Sequence, residues 1–246
     1  MAGMHHIRIG TAGWTVPRAH AAALPGEGSH LQRYAQALPC AEINSTFYRL
    51  PRPGTWLRWA ESTPDGFRFA VKAPKEITHG KKLCRCGAEL AAFFAALAPI
   101  RSKLGPVLVQ LPPKLAFEEG LAHEFFLTLR EVHNGAVALE PRHASWFTSP
   151  VDRMLREFGI ARVAADPPAG STAASRPGGC EGFRYYRLHG SPRKYWSAYE
   201  DSVLKSLAHE LHAARTETWV MFDNTAQGHA LGDALRLQRL VQDSGR

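Results

Sequence analysis

Glu42, Glu140, Asp166 and Asp223 stand at or just beyond the ends of short apolar runs, and so do Lys72, Arg142, Arg187, His143 and His189. Acids, cations and imidazoles gathered in one water-poor place perturb one another's protonation, as ligand and catalytic sites require. Several chemistries fit this set. The carboxylates with His143 or His189 would bind a divalent metal, which polarises a phosphate or activates water. Lys72, Arg142 and Arg187 would grip an anionic substrate, arginine doing so with two parallel bonds. Two of the carboxylates could instead serve as acid and base on a glycosidic bond. In the plainest case, Glu42 with Arg142 and Asp223 with Arg187 are simply ion pairs. No His-x-His pair is present, so the metal, if the site uses one, is unspecified.

The elements that must position these residues follow from the periodicity. Residues 7–14 form a strand running into a Gly-bounded turn, and helical spacing follows around Leu31 to Leu38. Ala41 to Pro51 opens as a buried strand on which Glu42 and Asn44 share one face, with Ala41 and Ile43 on the other. Residues 67–72 alternate cleanly and stop at Pro74, leaving Lys72 at a strand end on the face of Arg68 and Ala70. Glu89 to Leu104 has helical spacing, with Gly105 in the place of a C-cap. Further strands are expected over 106–111, 136–140, 160–165, 183–189 and 218–223, and helices over 121–132, 151–158, 201–215 and 230–241. The Gly, Ser, Ala and Pro-rich stretch after Asp166 predicts a short or missing sixth helix.

Eight strands, nearly all followed by helical patterns, predict one α/β domain over 1–246, a TIM-like (β/α)8 barrel, with a doubly wound open sheet as runner-up. No Gly-x-Gly-x-x-Gly follows a strand and no Walker loop appears, which argues against dinucleotide and NTP binding. A barrel of this type carries its site at the C-terminal ends of the strands. Those ends are Thr11 and Trp14, Glu42 and Asn44, Lys72, Gln110, Glu140 with Arg142 and His143, Asp166, Arg187 with His189, and Asp223 with Asn224. The opposite ends carry mostly Gly, Pro or surface polar residues, and this asymmetry points to a site in the mouth. The loop Gly190 to Tyr199 interleaves Arg193 and Lys194 with Tyr195 and Trp196, a mixture that stacks bases or sugars while neutralising phosphate.

Composition narrows the classes without choosing among them. With 246 residues and 45% hydrophobic content the chain can bury a full core. No apolar run approaches the roughly 18 residues of a membrane span, and residues 1–10 hold no signal-peptide core, so a cytoplasmic protein is expected. Cys84 and Cys86 are expected to be free thiols in a surface loop. The net charge of +8 favours an anionic small molecule or nucleic acid as partner.

The motifs, taken in order, resemble a known family. Residues 10–14 (GTAGW), 42–51 (EINSTFYRLP), 67–74 (FRFAVKAP), 104–106 (LGP) with 110–113 (QLPP), 142–147 (RHASWF), 186–190 (YRLHG) and 222–226 (FDNTA) are similar to the successive motifs of the YecE-like family, domain of unknown function 72. The resemblance implies a TIM-like barrel without an established activity. Its motif residues fall here on Glu42, Asn44, Lys72, Gln110, Glu140, Arg142, His143, Arg187, His189 and Asn224. The first expectation is therefore hydrolysis of a phosphoester in a nucleic acid or sugar phosphate, with a divalent metal as the cofactor such ligands would suit. Glu42, Glu140, His143 and His189 are the catalytic candidates; Thr11, Trp14, Asn44, Tyr48, Lys72, Gln110, Arg142, Trp146, Arg187 and Asn224 are the binding candidates. A glycoside-acting enzyme with paired carboxylates and a non-catalytic protein that binds an anion are the alternatives.

Overall fold

A computed structural model describes residues 7–24 and 26–243. Strands β1 (Ile7–Ala12), β2 (Cys40–Ile43), β3 (Arg68–Lys72), β4 (Leu104–Gln110) and β5 (Val137–Glu140) pair in parallel in sequence order. The expected sixth strand is split at Val163 into β6 (Ile160–Arg162), which pairs with β5, and β7 (Ala164–Asp166), which pairs with β9 (Phe183–Leu188). Strand β10 (Glu217–Phe222) lies between β9 and β1. The barrel is nearly closed: its hydrogen-bonded order is interrupted between β6 and β7, where the break at Val163 hands the strand from one neighbour to the other.

Helices α1 (His30–Ala37), α2 (Pro53–Glu61), α3 (Gly87–Ala96), α4 (Glu119–Val132), α5 (Ser149–Glu157), α6 (Asp201–His212) and α7 (His229–Asp243) cover the outside. Ser29 and Gln32 form a reciprocal capping box at the start of α1, and Gly159, with φ of +62°, leads out of α5. No α-helix follows β7. A 3-10 turn, Thr172–Ser175, and the two-residue strand β8 (Gly178–Gly179), antiparallel to β6, stand in its place.

Three sequence expectations need correction. The helix expected over 89–104 ends at Ala96 and continues as a 3-10 segment, Ala98–Lys103. Gly105 is not a C-cap but lies in β4, where a Cβ atom would sit 2.4 Å from Trp219 Cη2. The constraint on that glycine is a neighbouring indole, which no local pattern reveals. Cys84 is exposed, as expected, whereas Cys86 is buried and its thiol is pushed up to about 11, chiefly by burial.

Strands covered on both faces bury both sets of side chains. The larger apolar cluster, including Ile9, Ala41, Ile43, Val71, Val109 and Leu139, fills the space between strands and helices. A smaller one, including Cys40, Ala70, Leu108, Ala138, Tyr185, Trp219 and Met221, fills the barrel interior. Among the described residues no helix is long and apolar enough to cross a membrane.

Candidate functional site

The interior cluster fixes where the polar residues go. Side chains two apart share a face of a strand, so Cys40 brings Glu42 inward, Ala70 brings Lys72, Leu108 brings Gln110, Ala138 brings Glu140, and Tyr185 brings Arg187. These polar positions form one layer above the apolar plug, at the C-terminal ends of the strands.

Arg187 is the centre of that layer and is 1% exposed. Its Nε donates to Glu42 Oε2 at 3.1 Å and its Nη2 to Glu42 Oε1 at 2.7 Å, a bidentate grip. Nη1 donates to Glu140 Oε2 at 2.8 Å, and Nη2 also reaches Asp223 Oδ2 at 2.9 Å. The Tyr185 hydroxyl donates to Glu42 Oε2 at 2.7 Å, so both oxygens of that fully buried carboxylate are engaged. A chain runs outward from Glu140: Gln110 Nε2 donates to its Oε2 at 2.8 Å, and Lys72 Nζ donates to Gln110 Oε1 at 2.8 Å. His189 lies between Asp223 Oδ2, 3.1 Å from its Nδ1, and Glu140 Oε1, 3.4 Å from its Nε2. The Arg142 guanidinium approaches Glu140 Oε1 at 3.4 Å. The expected pairing of Asp223 with Arg187 is present, but Glu42 pairs with Arg187 rather than Arg142, because Arg187 shares its inward layer.

The electrostatics follow from this packing. Burial alone would raise the Glu140 carboxyl, yet Arg187, His189 and Arg142 hold it well below the usual carboxylate range. Asp223 is likewise lowered against its burial, by Arg187 and His189. Burial pulls the Arg187 guanidinium down, and Glu42, Glu140 and Asp223 more than reverse it. Lys72 behaves oppositely: burial first, and then the Arg187 charge, bring its ammonium down to about 8 despite the nearby acids. A lysine in that range exchanges a proton near neutral pH.

Several polar atoms in and beside this layer remain unused. Asn44 Oδ1 and Arg142 Nε are buried without a hydrogen-bond partner, and His189 Nε2 has only its 3.4 Å approach to Glu140 Oε1. Lys72 spends one donor on Gln110 and rests its ammonium 4.2 Å from the centre of the Phe47 ring. Around the rim, Tyr48, Tyr195 and Trp196 are exposed, and cations lie against them: Lys75 on Tyr48, Lys194 on Tyr195 and Arg193 on Trp196. Tyr195 stands across the mouth. Its ring meets His189 edge-on at 5.3 Å, its hydroxyl is 3.5 Å from Arg142 Nη2, and its φ of +65° is a left-handed conformation that a tyrosine rarely adopts. Cavities of about 410 and 420 Å³ lie elsewhere, at the N-terminal end of the barrel and against α6.

Other candidates are held away from this cluster. Thr11 faces the helix layer, where its amide and hydroxyl both meet the Tyr34 hydroxyl. Trp14 packs edge-on against Trp59 and Phe69. Trp146 is buried and donates to the Leu115 carbonyl. His143 caps the short turn Ala144–Trp146, with Nδ1 2.8 Å from Ser145 Oγ. Asn44 lies outside β2 in helical conformation, so it does not continue the strand face of Glu42. Asn224 ties the mouth loop to α7, donating to the Ser197 carbonyl and to Asp233 Oδ2. Asp166 accepts from the Tyr199 hydroxyl at 2.7 Å. Among the described residues no three His, Cys, Asp or Glu side chains are grouped to hold a metal ion. The position between Glu42, Glu140 and Asp223 is taken by the Arg187 guanidinium. Sequence reasoning missed Tyr185, although its spacing from Arg187 places it inward, and missed Phe47 and His79, which flank Lys72 from loops.

Known proteins share this arrangement of chain. A family model described as "Protein of unknown function DUF72" matches residues 8–246. The UPF0759 protein YecE of Escherichia coli K12 is 32% identical over 247 residues, covering 96% of this chain and 81% of that protein. The crystal structure of a DUF72 family protein (EF0366) from Enterococcus faecalis V583 superposes with a TM-score of 0.80 at 21% identity, covering 96% of both chains. That of a DUF72 family protein (TM1631) from Thermotoga maritima MSB8 gives 0.77 at 24% identity, covering 97% of this chain and all of the other. At such identities the superpositions speak to fold alone.

Proposed function

The chain belongs to the DUF72 family, which is defined without an activity, and from that premise we propose that its barrel mouth binds a phosphate-bearing ligand and hydrolyses the phosphoester. The ligand class is a sugar phosphate or a nucleic acid. One observation carries the proposal: the acids of the layer are engaged by Arg187, while Lys72 spends one donor on Gln110 and Arg142 leaves Nε without a partner. In this reading those spare donors are the ones an anion's oxygens take. The rim of exposed aromatics with cations laid against them suits the sugar or base attached to that phosphate.

Arg142 and Lys72 grip the phosphate oxygens in this reading. His189, oriented by Asp223 through Nδ1, takes a proton from water at Nε2 once that nitrogen turns from Glu140 Oε1, 3.4 Å away. The hydroxide attacks phosphorus, the ester P–O bond breaks, and Lys72 donates a proton to the departing oxygen. Tyr195 must leave the His189 ring for water to reach it. Glu42 serves as anchor for Arg187, and Glu140, held ionised, orients Gln110 and Arg142. A glycosidase would need a protonated carboxylic acid, and the local charges work against one at Glu140.

A turnover screen over sugar phosphates and short single-stranded oligonucleotides, with and without added magnesium or manganese, tests the assignment. Lys72→Met and His189→Gln should abolish turnover in folded protein, and Arg142→Gln should weaken binding. Turnover that survives both of the first two changes would sink the mechanism. Tight phosphate-ester binding without turnover would leave the binding half standing alone.

A further inference from the structure

The opposite end of the barrel, where the sequence places mostly Gly, Pro or surface polar residues, also holds a charged hollow. A cavity of about 410 Å³ opens among the starts of β1, β3, β4 and β10, lined by Arg8, Arg68, Arg101, His133, Glu217 and Trp219 among others. The geometry points to a second anion site here, one that takes a phosphate or pyrophosphate group independently of the mouth.

Three guanidiniums reach this cavity from three separate elements, and one acid opposes them. Glu217 divides its Oε1 between the Trp219 indole N–H, at 3.0 Å, and Arg8 Nε, at 3.5 Å, so the lining keeps an excess of positive charge. Arg8 and Arg68 are fixed in advance. Arg8 Nη1 donates to the Gly66 carbonyl, and Arg68 Nη1 to the carbonyls of Asp65 and Phe67, all in one turn. Arg68 uses one nitrogen for anchoring and Arg8 two, Nη1 on Gly66 and Nε toward Glu217, and both retain further N–H groups. Arg8 also lies over the Trp219 ring, 5.5 Å from its centre. The Arg101 side chain is exposed and has no hydrogen bond or ion pair among the described residues. His133, stacked on Phe94 at 4.3 Å, presents a buried Nε2 with no partner. Scattered surface arginines would be solvated singly; here they converge on one hollow, with the fork geometry that matches phosphate. The seven residues of β4 place this hollow roughly 20 Å from the mouth, beyond the screening length of about 8 Å at physiological salt, so the two sites bind separately.

Calorimetric titration of the full chain with pyrophosphate tests this, with Arg142→Gln plus Lys72→Met silencing the mouth. That variant should still bind pyrophosphate, and adding Arg101→Glu should weaken the remaining binding by at least about tenfold, the worth of one charge-assisted hydrogen bond. Arg101 anchors nothing, so the melting temperature should be unchanged. Crystals soaked in tungstate, a phosphate mimic, should show an anomalous peak among Arg8, Arg68 and Arg101. The proposal is overturned if the mouth-silenced variant binds no pyrophosphate, if Arg101→Glu leaves its binding intact, or if tungstate avoids the hollow. Equal binding by wild type and the mouth-silenced variant would instead count against the mouth.

Discussion

Replacing Arg187 with methionine tests the architecture of the mouth at its centre. The change removes a 1%-exposed cation that makes two bonds to Glu42, one to Glu140 and one to Asp223, at 2.7–3.1 Å. Three carboxylates then remain in a space prepared for one guanidinium. Removing one partner of a buried ion pair costs about 3–5 kcal/mol, a large share of a typical stability of about 5–15 kcal/mol. The sign of the pH response is more diagnostic than the size. In the parent protein Glu140 and Asp223 are held below their ordinary values. Their contribution is therefore complete above the unfolded carboxylate range, near pH 4, and is lost as pH falls through the lower folded values. In the variant, burial and mutual repulsion raise these carboxyls, so folding takes up protons and stability increases from about pH 7 toward pH 5. Urea unfolding followed by circular dichroism at both values measures this. If Arg187→Met is too unstable to purify, Glu42→Gln in the same background should recover it, although Glu42→Gln alone destabilises. A loss under about 1 kcal/mol, or a variant that weakens in acid in parallel with the parent, would refute the reasoning.

Three further outcomes follow from particular contacts. Tyr185→Phe removes the hydroxyl donor to Glu42 Oε2 and should cost about 1–3 kcal/mol of stability by thermal or chemical unfolding. Gly105→Ala forces a Cβ to 2.4 Å from Trp219 Cη2, so the indole must shift; about 1–3 kcal/mol should be lost, with altered Trp fluorescence. Asn224→Ala frees the Ser197 carbonyl and leaves Asp233 Oδ2 one donor short, which should cost about 1–3 kcal/mol and speed amide exchange in the loop bearing Tyr195.

The barrel was legible because its strands and helices each carry their own period, and the closing residues of those strands were already conspicuous as a polar set. Of the two ion pairs read from the pattern, Asp223 with Arg187 forms, while Glu42 was assigned the wrong arginine. Glu42 and Arg187 are 145 positions apart, and their meeting depends on inward layers of β2 and β9 that only the barrel brings together. The same limit explains Gly105, whose constraint is Trp219 from β10, and the split at Val163, where one strand serves two neighbours. Asn224 and Thr11 were visible as strand-end polar residues, but their partners, Asp233 and Tyr34, lie on helices. The arginines of the N-terminal hollow escaped notice because each alone resembles a surface charge.

The central claim, that Lys72 meets an anion in the mouth, is tested most directly by the affinity of a short oligothymidylate measured between about pH 6.5 and 9. Free Lys72 titrates at about 8, and a bound phosphodiester favours its charged form, so binding takes up a proton as that range is crossed. Affinity should be nearly flat below about pH 7 and then fall by up to about tenfold per unit above 8, the slope of one linked proton. Lys72→Arg should bind without that slope. An affinity indifferent to pH, or a slope unchanged in Lys72→Arg, would contradict the account.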